Sequence, residues 1–220
     1  DGILKVWDLK TGTAEATLTG HTGRVRAVAV TADGRRAVSA SFDHTLKVWN
    51  LATGTEEATL IGHTDFVWAV AVVADGRRVV SGSGDGTLKV WDLTTGTVEA
   101  TLSGHTSLVK AVVVTAEGQW AVSASFDQTL KVWNLTTGRE EATLTGHTSS
   151  VNAVAVTADG RQAVSASFDR TLKVWDLERG KLIATFSADG ALQACAIASD
   201  GTIITGGLLG RVHILRLVGW

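Results

Sequence analysis

A tryptophan that recurs every 42 residues constrains the fold more than any other feature of the sequence. Its five copies are Trp7, Trp49, Trp91, Trp133 and Trp175. Gly-His pairs recur with the same interval and start at Gly20, Gly62, Gly104 and Gly146. Self-similarity with a fixed period of this size indicates a repeat architecture, in which every repeat is one unit of supersecondary structure.

Four short β-strands, which we name a to d, are predicted for each repeat unit. Segments such as 25–30 and 45–49 are rich in β-branched and aromatic residues, which are typical of strands. Hairpin turns are predicted at the Asp-Gly or Glu-Gly pairs 33–34, 75–76, 117–118 and 159–160. In the unit 62–103 the strands are expected at roughly 66–72, 78–83, 88–93 and 97–102. This pattern predicts an all-β fold, a β-propeller of four-stranded antiparallel blades.

The whole chain, 1–220, is interpreted as one domain of six repeat units. They span about 1–19 (first, partial), 20–61 (second), 62–103 (third), 104–145 (fourth), 146–187 (fifth) and 188–220 (sixth, degenerate). Seven blades of 42 residues need about 294 residues. The four complete and two partial blades are therefore expected to be part of a seven-bladed ring whose upstream blades were cut off or are supplied by another copy. A five-bladed ring, with 13–18 beside 212–217, is the alternative.

The sixth unit departs from the repeat, because Ala188-Asp189 replaces Gly-His and Leu215-Arg216 replaces the tryptophan pair. Atypical terminal units are expected in repeat arrays. Residues 211–217 are predicted to form a closing strand c, which makes Trp220 the approximate natural C-terminus.

Composition excludes several classes of protein. Hydrophobic residues make up 45% of the chain and charged residues 19%, so it is neither disordered nor fibrous. The formal net charge of −2 gives no global field that would attract nucleic acid or an anionic membrane. No apolar stretch approaches the roughly 20 residues of a membrane-spanning helix. Cys195 is the only cysteine, which excludes an intrachain disulfide and a cysteine-based zinc site and agrees with a reducing compartment.

The tryptophan pairs carry a family resemblance over nearly the whole chain. Trp-Asp stands at 7–8, 91–92 and 175–176, and Trp-Asn at 49–50 and 133–134. With the Gly-His pairs in the same phase, the chain resembles the WD-repeat family. In that family the Gly-His histidine, a strand-b serine, a turn aspartate and the strand-c tryptophan form a buried hydrogen-bonded relay. The resemblance implies four such relays: His21, Ser39, Asp43 and Trp49; His63, Ser81, Asp85 and Trp91; His105, Ser123, Asp127 and Trp133; and His147, Ser165, Asp169 and Trp175.

Residues of these types also occur in catalytic, metal-binding and phosphate-binding sites, but their spacing in this sequence disfavours all three kinds of site. Ser, His and Asp in one unit suggest a catalytic triad, but the set occurs four times, and no nucleophile-elbow sequence accompanies it. The histidines lie 42 residues apart, without the short spacing of a metal site. The glycine-rich segment 82–86 lacks the Gly-Lys-Ser/Thr ending of a phosphate loop. We expect no catalytic residue, metal or cofactor, and a tight turn at 82–86.

Variation among the copies separates scaffold from surface. The residues that flank the first strand-a valine, and the residue before the turn aspartate, differ from unit to unit, and these positions resemble the contact sites on the top face of WD-repeat proteins. The predicted partner-binding residues are Arg24, Arg26, Phe42, Phe66, Trp68, Leu108, Lys110, Phe126, Asn152 and Phe168. Packing of the phenylalanines between blades is the alternative. Trp120 is expected on an exposed side or bottom surface. A solvated rim is expected for the strand-c lysines Lys47, Lys89, Lys131 and Lys173.

The resemblance implies a non-catalytic scaffold or sensor that binds protein partners through the top face. The near-identity of the copies resembles the repeat arrays of bacterial multidomain signalling proteins, which implies a cytoplasmic location. Binding of single-stranded RNA, binding of carbohydrate, and an engineered or recently amplified array without a specific ligand are the alternatives. Nucleic-acid and membrane partners are not expected. Uncovered edges of an incomplete ring predict self-association.

Overall fold

The computed structural model describes residues 1–216, which form 21 β-strands and contain no helix. The strands are β1 (Ile3–Asp8), β2 (Thr13–Thr19), β3 (Val25–Val30), β4 (Arg36–Ser41), β5 (Thr45–Asn50), β6 (Thr55–Ile61), β7 (Val67–Val72), β8 (Arg78–Ser83), β9 (Thr87–Asp92), β10 (Thr97–Ser103), β11 (Val109–Val114), β12 (Trp120–Ser125), β13 (Leu130–Asn134), β14 (Arg139–Leu144), β15 (Val151–Val156), β16 (Gln162–Ser167), β17 (Thr171–Asp176), β18 (Lys181–Ser187), β19 (Leu192–Ile197), β20 (Thr202–Gly207) and β21 (Val212–Arg216). In this part of the chain nothing has the length and apolar character of a membrane-crossing helix.

The strands pair in chain order into antiparallel sheets, one for each predicted unit. The second to fifth units each form a four-stranded sheet, and within residues 1–216 the first unit contributes two strands and the sixth unit three. Repeating blades of four antiparallel strands are therefore confirmed, and the strands of the third unit lie within one residue of their predicted bounds. The described sheets do not close into a ring. The expected continuation of the last strand to Leu217, and the interpretation of Trp220, fall outside the described residues.

Successive sheets pack face to face and bury the repeated tryptophan between them. In the junction between the second and third units, Val38 and Leu46 lie in one apolar cluster with Val67 and Trp91 of the following sheet. The strand-c tryptophans of the second to fifth units are at most 1% exposed. Since a single sheet cannot bury its own apolar face, each unit is stabilised by its neighbours.

A β-bulge interrupts the a–b ladder at the same place in every sheet that has a strand a. In the second unit Val25 is paired with Ser41 and Ala27 with Ala40, so that Arg26 has no partner of its own. A bulge redirects the side chain of the extra residue. The corresponding bulge residues are Trp68, Lys110, Asn152 and Gln193. The bulge position on strand a is thus occupied by a different residue in each of these units.

The turn between strands b and c also has one conformation throughout. The residue after the turn aspartate has a positive φ, between 67° and 78°, in the second to fifth units. Glycine occupies this position only at Gly86, and His44, Gln128 and Arg170 occupy it elsewhere. The prediction of a tight turn at 82–86 is therefore confirmed.

Candidate functional site

The relay of the second unit is a continuous chain of hydrogen bonds from a carboxylate to an indole. His21 Nδ1 lies 2.7 Å from Asp43 Oδ2, and His21 Nε2 lies 2.7 Å from Ser39 Oγ. Trp49 Nε1 donates to the same Ser39 Oγ at 2.8 Å. With a neutral imidazole, Nδ1–H donates to the carboxylate, and the serine hydroxyl accepts from the indole and donates to Nε2. Every polar atom of the relay then has a partner.

The structure repeats this arrangement in the next three units. The histidine-to-aspartate and histidine-to-serine distances are 2.7 or 2.8 Å, and the indole-to-serine distances 2.8 or 2.9 Å. All sixteen residues that the sequence assigned to relays are brought together in four groups. The sixth unit has no histidine at this position.

The relay aspartates are held ionised by several donors at once. Burial raises the pKa of Asp43, but hydrogen bonds from Thr45 and His21 outweigh it and hold the pKa well below its ordinary value. The same balance lowers the pKa of Asp169 to about 2. Burial lowers the pKa of His105 and His147, although the neighbouring carboxylates act in the opposite direction. A neutral imidazole beside a carboxylate is therefore the stable state of the relays of the fourth and fifth units.

The relays have the atom-to-atom order of a catalytic triad, but their serines cannot meet a substrate. Ser39, Ser81, Ser123 and Ser165 are 0% exposed. Each serine Oγ already bonds to a histidine and an indole, so no position near it is open to a carbonyl group. The thiol of Cys195 is no better placed, because burial raises its pKa to about 12. In residues 1–216 no three His, Cys, Asp or Glu side chains are grouped as a metal site would require.

The expectation of a solvated lysine rim on strand c is wrong. Lys131 and Lys173 are each 8% exposed. Lys131 Nζ donates to Thr143 at 2.8 Å and forms an ion pair with Glu140 at the same distance. Lys47 binds Thr59 and Glu56 in the same way. The reason is the d strand, which places a threonine directly opposite each lysine, so that the lysine stem lies along the sheet and its amine is bound.

One end of the sheets, which we call the top face, carries the d–a segments and the b–c turns. These two segments are joined by a backbone hydrogen bond in each complete unit. In the second unit Phe42 N donates to Arg24 O, and in the third unit Gly84 N donates to Phe66 O. Phe126 and Phe168 make the equivalent bonds to Leu108 and Ser150. The variable residues before the turn aspartate are thereby held beside those that open strand a.

An aromatic cluster lies on the top face where the second unit meets the third. The rings of Phe42 and Phe66 are stacked with centroids 4.4 Å apart, and Phe42 packs against Trp68 at 4.7 Å. His44 contacts the edge of Phe66 at 5.5 Å. Phe66 is 40% exposed, whereas Phe42 and Trp68 are half-buried. Phe42 therefore packs between neighbouring blades, as the alternative interpretation has it, and also forms part of the top face.

Two cations lie against the indole of this cluster. Lys110 Nζ is 3.7 Å from the Trp68 ring centroid, and the Arg26 guanidinium carbon is 5.2 Å from it. Both distances are within the range of cation–π attraction. Burial and the charge of Arg26 lower the pKa of Lys110 to about 8. The bulge position of strand a holds these three residues in three successive sheets: Arg26, Trp68 and Lys110. Because the sheets are neighbours, the side chains meet although 42 residues separate each from the next.

The remaining predicted contact residues are not all at the surface. Arg24 is exposed, Leu108 and Phe126 are half-buried, and Phe168 is 39% exposed. Asn152, which the sequence assigned to partner binding, is only 6% exposed. Its Nδ2 donates to Leu192 O on strand a of the sixth unit, β19, at 2.8 Å. The prediction of a surface role for Asn152 is therefore wrong, because its amide ties two neighbouring blades together.

Trp120 lies away from the top face and is half-buried, not exposed as expected. It packs against the cluster between the fourth and fifth units. It also lines a cleft of about 590 Å³ between these units, with Glu141, Arg161 and Glu178 among the other lining residues. The equivalent residues, Arg36, Arg78 and Gln162, are polar, so sequence comparison of the copies could not foresee this packing.

Comparison with protein families agrees with the repeated geometry. The family described as WD domain, G-beta repeat matches residues 12–50, 54–92, 96–134 and 138–176. Each matched segment begins near a d strand and ends with the c strand of the following sheet, so its last residues include the relay tryptophan. No curated protein matches the chain significantly. With four family matches over most of its length, this chain belongs to the WD-repeat family.

Proposed function

We propose that this chain is a non-catalytic interaction domain that binds a protein partner through its top face. WD repeats generally mediate protein–protein interaction or scaffolding. The observation that carries the proposal is the cluster of Phe42, Phe66 and Trp68 with Arg26 and Lys110 beside it. Aromatic residues and arginine are enriched among the residues that dominate the energetics of protein interfaces.

Comparison of the copies supports a role in binding for Trp68. The same bulge position is occupied by Arg26, Lys110 and Asn152, so the ladder accepts charged and polar residues there. An aromatic residue is therefore not required by the scaffold at this position. The buried relay serines support the non-catalytic part of the proposal, since the only triad-like groups of residues 1–216 are enclosed.

The test uses substitutions that the repeat itself supplies. Phe66→Ser and Trp68→Asn introduce the residues found at the equivalent positions Ser150 and Asn152. Trp120→Gln, which copies the equivalent Gln162, is the control, because it removes an aromatic side chain remote from the top face. Partners crosslinked to the purified domain in extracts of its source cells are quantified by mass spectrometry. We expect the double variant to lose specific partners that the control retains, and equal recovery with both would contradict the proposal.

Exposed apolar side chains near both ends of the array support a second part of the proposal, that the array belongs to a larger ring, of seven blades. Val28 and Val30 on β3, the first strand a, and Val212 and Ile214 on β21 are more than 50% exposed. In the junctions from the second to the fifth unit, apolar side chains of neighbouring sheets cover one another. Further blades, or another copy of this chain, would cover them. Light scattering of the isolated chain tests this: we expect concentration-dependent association, and a monomer at all concentrations would contradict it.

The cellular setting is also part of this proposal. We place the domain in the cytoplasm as the sensing part of a bacterial multidomain signalling protein, by analogy with the near-identical copies of such arrays. Fractionation of the source cells, with an antibody against the domain, tests the location and the length of the parent protein.

A further inference from the structure

Arg26 and Lys110 both lie within cation–π distance of Trp68, and the strands that carry them, β3 and β11, each contact the Trp68 strand, β7. Among the described residues neither Arg26 nor Lys110 has a carboxylate within 4.0 Å, and the same holds for Arg24. The acidic residue of the adjoining segment, Asp65, accepts a hydrogen bond from Phe66 N instead. Beside the apolar cluster, Arg26 and Lys110 are therefore two cations without an ion-pair partner in the described chain.

This arrangement of charges is unfavourable by itself. A half-buried ammonium next to a guanidinium is destabilised by the loss of water and by repulsion between like charges. The lowered pKa of Lys110 has these two causes, in this order. An anion that binds both cations would relieve both effects, and it would do so in a partly desolvated environment, where charge pairs are strong.

Trp68 provides a second and independent observation. Its Nε1 atom is buried and has no hydrogen-bond partner in the described chain, whereas the indoles of the four relays all donate to a serine. A buried N–H group without an acceptor is destabilising, because it has lost its bond to water without replacement. The chain itself therefore leaves an unsatisfied donor directly beside the two cations.

We propose that the top face recognises an acidic side chain of its protein partner, with the carboxylate of an Asp or Glu bound by Arg26 and Lys110 next to Trp68. A neighbouring apolar side chain of the same segment packs on Phe42 and Phe66. This inference rests on the proposed function and specifies the chemistry of the partner.

The distribution of charge favours an acidic peptide segment over a nucleic acid. A single strand of RNA is bound along a basic groove that follows many phosphates. Arg26 and Lys110 are the only cations that lie against Trp68 in the described chain, and the chain as a whole carries a formal net charge of −2. One or two carboxylates match a patch of this size.

The experiment selects displayed random 12-residue peptides on the purified chain and then measures the affinity of the most enriched peptide and of its Glu→Gln or Asp→Asn version. The variant Arg26→Asn/Lys110→Asn removes both cations and introduces the residue that the ladder accepts at Asn152. The control Arg35→Gln/Arg77→Gln removes two exposed cations from the a–b turns and copies Gln119. Both variants change the net charge equally, so that non-specific attraction is held constant.

We expect acidic peptides to be enriched and to bind the cation-free variant about 30-fold more weakly, while the control variant binds them as the wild type does. Neutralising the acidic residue of the peptide should weaken binding to the wild type by a similar factor and change binding to the cation-free variant little. Acidic peptides that bind both variants equally would overturn the inference.

Two further results separate this inference from the proposed function. Enriched peptides that lack acidic residues, but lose binding with Trp68→Asn, would overturn the acidic specificity and leave the top face as the binding surface. Failure to enrich any peptide, or enrichment insensitive to Trp68→Asn, would count against both. A uridylate oligonucleotide is the competitor: if it binds and depends on Arg26 and Lys110, the site recognises phosphates and the inference is wrong.

Discussion

Ser123→Ala removes the central atom of one relay and tests whether the relay stabilises its blade. Ser123 is 0% exposed, and its Oγ lies 2.7 Å from His105 Nε2 and 2.8 Å from Trp133 Nε1. The substitution leaves a buried acceptor and a buried donor without partners, and each costs about 1–3 kcal/mol. The alanine Cβ preserves most of the packing. We therefore expect the free energy of unfolding of this region to fall by about 2–6 kcal/mol.

Hydrogen exchange measured by mass spectrometry is the appropriate assay, because repeat arrays open locally and the effect of the substitution is expected to be largest in its own blade. Peptides from β11 to β13 should exchange on the order of 100-fold faster in the variant, as each 1.4 kcal/mol corresponds to a factor of about ten. Ser103→Ala changes an exposed serine on strand d and serves as the control. Its effect should stay within about 0.5 kcal/mol.

A double-mutant cycle decides whether the hydrogen bonds themselves are responsible. Trp133→Phe removes the indole donor, so in the Ser123→Ala background one of the two unpaired groups is gone. The double variant should therefore be less destabilised than the sum of the single variants, by about 1 kcal/mol. Strict additivity, or a cost of Ser123→Ala no larger than that of Ser103→Ala, would refute the reasoning.

Three further predictions follow from the scaffold. Because burial lowers the pKa of His105 and His147, protonation of these rings favours the unfolded chain. The free energy of unfolding, measured in urea, should therefore be fully present above about pH 6.5 and fall as the pH drops below it. Equal stability at about pH 8 and pH 5.5 would contradict this. Gln128 has a φ of 74°, a backbone conformation that glycine adopts with less strain. Gln128→Gly should therefore raise the free energy of unfolding by about 1 kcal/mol, as measured by chemical denaturation. A lower free energy of unfolding would contradict this reasoning. A Cβ on Gly104 would lie 3.2 Å from the Trp133 ring. Gly104→Ala should therefore lower the melting temperature, by an amount equivalent to about 1 kcal/mol. An unchanged melting temperature would contradict this packing.

Strands and relays were predictable because both depend on which residues recur and at what interval. A strand is readable from alternation and turn residues within one segment, and the strands of the third unit accordingly lie close to their predicted bounds. The four relay residues are chemically distinctive, and the family pattern assigns each of them to a strand or turn. His63 and Trp91 are 28 positions apart in the sequence, yet the relay joins them through Ser81.

Features that depend on the register between strands could not be read in this way. The a–b bulge is a property of two paired strands, and nothing in the segment around Arg26 alone indicates that it has no partner. The same limitation explains the errors at Lys131 and Asn152, whose burial depends on residues of the neighbouring strand or sheet. For Lys131 a signal was available, since a threonine stands twelve positions later, where the d strand returns past strand c.

The candidate binding site belongs to the junctions between blades and not to any single repeat. One bulge position delivers Arg26, Trp68 and Lys110 from three successive sheets, and the cation–π contacts exist only because these sheets are adjacent in this order. The relays, by contrast, are complete within each sheet and are the same in four of them. Because the relays that stabilise each sheet are separate from the surface positions, the residues at those positions can be substituted without loss of the fold. In this chain the residues that recur in every copy form the relays and the core, and the proposed binding site consists of residues at which the copies differ.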